Sequence, residues 1–155
     1  MQIVQEIRAK KVVPNGMALH DYVNLYFCAR NPMLFKIRSS HPSLCVLRVN
    51  SSVLDIEGVV ISDQNASSIY ARFDPPSKGL AGIDKDSVFA EWWTSDDQVA
   101  HWQRKSAKCA EVLVPHRVDP GLVTGAYVSC DDSLRRFAKL GLDLAVEVNN
   151  HLFFL

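Results

Sequence analysis

Apolar and polar positions alternate most cleanly at Cys45-Val46-Leu47-Arg48-Val49, which predicts a strand from residue 44 to 49. Gly58-Val59-Val60-Ile61 predicts a second strand, and Cys109-Ala110-Glu111-Val112-Leu113-Val114 a third that Pro115 ends. Residues 123–129, 144–148 and 152–155 read as three more. Residues 3–11 predict a short helix with Ile3, Ile7 and Val4 inward and Arg8, Lys10 and Lys11 toward its end, where basic side chains suit the helix dipole. Pro14-Asn15-Gly16 is a turn. Residues 62–67 form a polar turn that opens into a short helix through Ile69, Tyr70 and Phe73, and residues 74–79 form a loop. Residues 89–93 and 99–102 look helical and aromatic, and residues 133–140 form an amphipathic helix stopped by Gly141. Residues 25–28 and 33–37 fit strand or helix equally, with Pro32 between them. Strands outnumber helices and do not alternate regularly with them, which predicts a mixed α+β domain rather than a doubly wound one.

Length changes this picture little. A chain of 155 residues suits one domain that buries most of its unfolded surface. No apolar run approaches bilayer thickness, and Met1-Gln2-Ile3-Val4-Gln5-Glu6 is no signal peptide, so the expectation is a soluble cytoplasmic protein with no membrane partner. Seventeen basic residues balance seventeen acidic ones. That excludes a protein coating nucleic acid by bulk charge and leaves room only for a local patch. Cys28, Cys45, Cys109 and Cys130 are far apart, with no Cys-x-x-Cys pair, which predicts reduced and mostly buried thiols and no zinc site. His41 and His116 have no partner at ligand spacing, and no Gly-rich phosphate loop is present.

The chemistry concentrates in Leu19-His20-Asp21-Tyr22-Val23-Asn24-Leu25-Tyr26-Phe27-Cys28-Ala29-Arg30-Asn31-Pro32-Met33-Leu34. A packed core excludes so many polar heads unless they are hydrogen-bonded, so the segment reads as a cleft lining. His20, Asp21 and Tyr22 fit either a structural turn or a ligand contact. Tyr26, Phe27, Arg30 and Met33 fit a pocket for a flat ring, since aromatics and guanidinium planes stack on bases, although Tyr26 and Phe27 fit plain core as well. Glu111 sits in an otherwise apolar strand. Either its head reaches solvent at the strand start, or it projects into a cleft as fixed negative charge.

The order Leu-His-Asp-Tyr-Val-x-x-Tyr-Phe-x-x-Arg-Asn-Pro-Met-Leu resembles the central motif of the DarT family, toxins that transfer ADP-ribose from NAD onto bases of single-stranded DNA. Ala110-Glu111-Val112-Leu113-Val114 resembles that family's catalytic glutamate segment, and Val4-Gln5-Glu6-x-Arg8 its Ile-Gln-Glu-x-Arg segment. The resemblance implies an ADP-ribosyltransferase-like α+β fold, two small mixed sheets forming an NAD cleft with flanking helices. It implies Glu111 and Arg8 as the catalytic pair. Glu111 would hold the nicotinamide ribose and face the oxocarbenium-like transition state. Arg8 would stabilise the anion a thymine becomes on losing its ring proton, since guanidinium has no acceptor. His20, Tyr22 and Tyr26 are then the NAD contacts. Arg30, Met33, Asn65, Trp102, Arg104, Lys105 and Lys108 are the substrate contacts, with Trp102 stacking on a base and the basic residues on phosphates. Asn65 stands where many members carry a histidine, and its amide can read a base edge.

NAD enters as substrate, with no metal, and the expected partners are single-stranded DNA and a macrodomain antitoxin of the DarG type. Members of the family also carry an opening His-x-Thr segment before this motif. His41-Pro42-Ser43 falls on the wrong side of the motif to be that element. Residues 1–155 are therefore expected to form one DarT-like domain that is N-terminally incomplete. The alternative expectations are a degenerate, non-catalytic nucleic-acid-binding remnant, or an RNA-directed transferase.

Overall fold

Seven strands are present among the residues described by the computed structural model, which are residue 6 and residues 8–155: β1 (Tyr22–Tyr26), β2 (Cys45–Val49), β3 (Val60–Ser62), β4 (Phe73–Asp74), β5 (Glu111–Pro115), β6 (Val123–Val128) and β7 (Val146–Val148). They form two sheets in two compact units. The first unit takes Met1–Cys28 and Ser52–Val118, the second Ala29–Ser51 and Asp119–Leu155.

The first unit carries a sheet in the order β1-β5-β3-β4, antiparallel throughout rather than mixed. β5 lies between β1 and β3, and Glu111 to Val114 are all buried. A strand covered on both faces needs a continuous apolar run instead of alternation, which is what Val112-Leu113-Val114 supplies. Leu113 packs with Val13, Leu19, Tyr22 and Ala66, and Met17, Val60 and Phe73 close over them. The Gln98–Ala107 helix precedes β5, capped by Asp97, whose side chain accepts from Ala100 N at 2.6 Å.

The second unit carries β2-β6-β7, with β2 antiparallel to β6 and β7 parallel to it. Ala126, Val128 and Phe137 form its core with Leu134, Leu144 and Val146. The Asp131–Ala138 helix places Asp131 and Asp132 in its first turn and Arg135 and Arg136 in its last, as the dipole favours. The Pro32–Lys36 helix starts on Asn31, whose side chain accepts from Met33 N and Leu34 N, with Pro32 at the first helical position. This resolves the strand-or-helix ambiguity: residues 22–26 are strand and residues 32–36 helix.

Several expectations are corrected. Residues 63–71 form turns without a helix, and Phe73 belongs to β4. Asp63 accepts from Arg72 N and Nε at 2.9 Å, and Asn65 from Ser67 N, so side chains take the amides a helix would use. The expected loop at 74–79 contains the start of the Pro76–Gly82 helix, with proline at its first turn. Helix ends at Phe89, leaving residues 90–93 irregular. Gly58, with φ +81°, turns the chain before β3 begins at Val60. The expected last strand is a 3-10 turn, Asn150–Phe153, closed by Phe154 at φ 66°. None of the four cysteines is in a disulfide, but Cys45 is exposed and only Cys109 is buried. Residues 6 and 8–10 are helical, while Ile3, Val4, Gln5 and Ile7 lie outside the described residues.

Candidate active site

Strand register builds the site in the first unit. Tyr26 of β1 and Ser62 of β3 both stand opposite Glu111 of β5, so the three side chains leave the sheet on one face. Glu111 is 1 % exposed. A carboxylate so buried needs partners. Its Oε1 accepts from Ala66 N at 3.0 Å, and its Oε2 lies 3.4 Å from Arg8 Nη1. The reading in which the glutamate head reaches solvent is therefore ruled out.

Burial raises the Glu111 pKa above the ordinary carboxylate range, against the opposing pull of Arg8, the Ala66 amide and Lys11. Burial also raises the Tyr26 phenol, helped by the charges of Glu111 and Cys109, so Tyr26 is a neutral hydroxyl beside the carboxylate. Arg8 is itself buried, and its Nη2 has no hydrogen-bond partner. A buried guanidinium nitrogen without an acceptor is costly. Lys11 donates to the Ser68 carbonyl and lies 5.0 Å from the centre of the Phe73 ring.

Asn65 adjoins this group through the same turn. Its backbone N–H donates to Ser106 O at 3.1 Å and its Oδ1 accepts from Ser67 N at 2.9 Å. The remaining expected residues divide. His20 is exposed, with Nε2 3.3 Å from Asp21 Oδ1. Tyr22 is core, and its hydroxyl accepts from Met17 N at 3.3 Å, as the structural-turn alternative expects. The phenol bears on the turn at Gly16, where an added Cβ would come within 2.5 Å of it.

Trp102, Arg104 and Lys105 are exposed on the Gln98–Ala107 helix, but not on one face. Arg104 lines a broad cavity of about 900 Å³ together with Asp63, Tyr70, Arg72, Asp84 and Trp92, whereas neither Trp102 nor Lys105 does. Arg8 and Glu111 do not line that cavity either, so it is separate from the carboxylate pair. Lys108 is 1 % exposed, and its Nζ donates to the carbonyls of Val88 (3.1 Å) and Ala90. Arg30 and Met33 belong to the second unit. Arg30 is buried, donates to the His151 carbonyl and stacks 4.0 Å from the Phe154 ring. Met33 is partly exposed beside its helix cap.

Lys11 and the Ala66 amide were not singled out from sequence. Lys11 follows Arg8 at helical spacing, which was the available signal. Among the described residues no group of three or more His, Cys, Asp and Glu side chains is arranged to hold a metal, and no helix is long and apolar enough to cross a membrane.

A family model described as ssDNA thymidine ADP-ribosyltransferase, DarT, matches residues 1–154. A DNA ADP-ribosyl transferase of Thermus sp. (strain 2.9) is 32% identical over 116 residues, covering 69% of this chain and 53% of that protein. A DNA ADP-ribosyl transferase–DNA ADP-ribosyl glycohydrolase fusion protein of Thermosipho africanus is 30% identical over 130 residues, covering 79% of this chain and 31% of the fusion. The chain thus spans about half the length, or less, of these curated relatives. The fold matches that of Thermus sp. 2.9 DarT, solved in complex with ADP-ribosylated ssDNA, with a TM-score of 0.82 at 23% identity over 97% of this chain and 78% of that one.

Proposed function

The chain belongs to the DarT family, and from that premise we propose that it transfers ADP-ribose from NAD to a base, thymine, in single-stranded DNA. The observation that carries the proposal is the buried Arg8–Glu111 pair, with Arg8 Nη2 left without an acceptor. In this reading NAD is the substrate. The bond between nicotinamide and its ribose breaks, a bond from that ribose carbon to the thymine ring nitrogen forms, and the nitrogen's proton passes to solvent. Glu111 holds the ribose and opposes the positive charge that develops as nicotinamide departs. Arg8 offers its unpartnered donor to the thymine as the ring loses its proton. Tyr26 adds a neutral hydroxyl beside the carboxylate, and Asn65 and Trp102 contact the target strand. A non-catalytic remnant gives no reason to retain a costly buried pair.

We further propose that the protein is a toxin, that residues 1–155 act as one DarT-like domain, and that a macrodomain antitoxin of the DarG type reverses the mark in the same cytoplasm. The fusion of transferase and glycohydrolase in the Thermosipho relative supports that partner.

The test is incubation with labelled NAD and oligonucleotides that differ only in thymine content. Single strands containing thymine should take up label and matched duplexes should not, because the base must leave its stack. Glu111→Gln removes charge while keeping shape, and should abolish labelling. Undiminished labelling by Glu111→Gln, or label found on protein alone, would overturn the proposal.

A further inference from the structure

Lys11 closes a structure around Glu111 that the paired arginine alone does not explain. Its ammonium donates to the Ser68 carbonyl and rests over Phe73. Ser68 ends a tight turn in which Ser68 N donates to Asn65 O at 2.8 Å, while Asn65 N is tied to Ser106 O at 3.1 Å. Between those anchors lies Ala66, whose amide is the neutral donor on the catalytic carboxylate. One lysine therefore grips the far carbonyl of the turn whose central N–H meets Glu111.

The groups facing Glu111 come from each element around it. Arg8 approaches from the helical residues, Lys11 from the residue after them, Tyr26 from β1, Ser62 from β3 and Ala66 from the turn. Cys109 acts on Tyr26 from beside β5. Arg8 is in contact and Lys11 acts at longer range, both favouring the ionised carboxylate. The lysine is only partly buried, so solvent screens it in part.

We propose that Lys11 is a positioning residue for Glu111: it clamps the turn at residues 65–68 so that the Ala66 amide meets the carboxylate. Its effect on rate rests on the transferase reading, whereas the clamp itself does not.

The test uses the full chain with Lys11→Met and Lys11→Arg. Three quantities are followed: the Glu111 carboxyl by carbon NMR against pH, the Ala66 amide resonance, and ADP-ribose labelling of single-stranded DNA. Lys11→Met should move the Glu111 titration to higher pH and shift the Ala66 amide. It should also cut labelling at pH 6 by about threefold to tenfold more than at pH 8, since loss of a nearby cation makes the proton harder to remove. Lys11→Arg keeps charge and donor, and should restore all three. If Lys11→Met does not fold, Lys11→Gln takes its place with the same expected shift of the titration. A Glu111 titration unchanged by loss of the charge, or Lys11→Arg as defective as Lys11→Met, overturns the proposal. Absence of labelling by the wild-type chain would refute the transferase reading instead, and the two NMR quantities would still decide the role of Lys11.

Discussion

Replacing Arg8 with methionine isolates the electrostatic load at the site. Methionine keeps much of the apolar stem and removes the cation. Glu111, 1 % exposed, then retains only the Ala66 amide as a direct partner among those described. Breaking a buried ion pair from one side generally costs about 3–5 kcal/mol. Here protonation sets a lower ceiling, because the carboxyl can take up a proton rather than stay charged. Against an ordinary value of 4.5, that uptake costs at most about 3.4 kcal/mol at pH 7 and about 0.7 kcal/mol at pH 5. Loss of Arg8's own unpartnered Nη2 offsets about 1 kcal/mol.

The expected net loss is therefore about 2 kcal/mol at pH 7, vanishing near pH 5. Its sign follows from linkage. Glu111 holds its proton more tightly folded than unfolded, so its stabilising contribution is complete below the unfolded pKa and is lost as pH rises through the folded one. Removing Arg8 steepens that loss. Urea unfolding at pH 5, 6 and 7 measures it, and the double variant Arg8→Met/Glu111→Gln should recover most of the deficit at pH 7. A loss of equal size at pH 5 and pH 7 would refute the reasoning, since it would mean that packing rather than charge was removed.

Two further outcomes follow from geometry. Gly79→Ala puts a Cβ 2.5 Å from Ile61 Cβ where the Pro76–Gly82 helix meets β3, and should cost about 1–3 kcal/mol in thermal or urea unfolding; an unchanged midpoint would contradict the packing. Lys105→Ala should lower the salt dependence of single-stranded DNA binding by about 0.7 in slope, as one lost phosphate contact does, whereas Lys108→Met should leave that slope unchanged and instead speed proteolysis between residues 84 and 93. Equal slopes for the two variants would show that the buried and exposed lysines had been wrongly separated.

The strands were legible wherever hydrophobic pattern and neighbours agree. The string from Cys45 to Val49 announces β2 because its alternation is local. Glu111 was different, since Ala-Glu-Val-Leu-Val fits an edge strand as well as a central one. Only the pairing of β5 with both β1 and β3 buries its carboxylate. The burial of Lys108 was hidden for a related reason. Spacing places it with Arg104 and Lys105, but the helix ends at Ala107 and the chain turns inward at the next residue. Residues 62–71 misled because Ile69, Tyr70 and Phe73 have helical spacing, yet Ile69 is 85 % and Tyr70 79 % exposed and the amides go to Asp63 and Asn65. Periodicity reports which positions are apolar, not whether a core exists to receive them.

The polar residues that make the segment from Leu19 to Leu34 recognisable mostly have scaffold partners of their own. Tyr22 braces a turn, Asn31 caps a helix, and Arg30 joins the Phe154 ring to a carbonyl. Each is a buried polar group with a partner in the scaffold, which is why a string full of hydrogen-bonding side chains can sit inside a fold. Tyr26 is the exception, because strand register sets it opposite Glu111. The carboxylate pair itself comes from elsewhere: β5 supplies Glu111, the helical residues before the segment supply Arg8, and the turn after β3 supplies the Ala66 amide. These belong to the same unit as β1. The recognisable segment thus contributes one strand and one phenol to a site whose charge is assembled from three other parts of the chain. Substitutions in it at Tyr22 or Asn31 should lower stability and activity together, while those at Glu111 or Lys11 should separate the two.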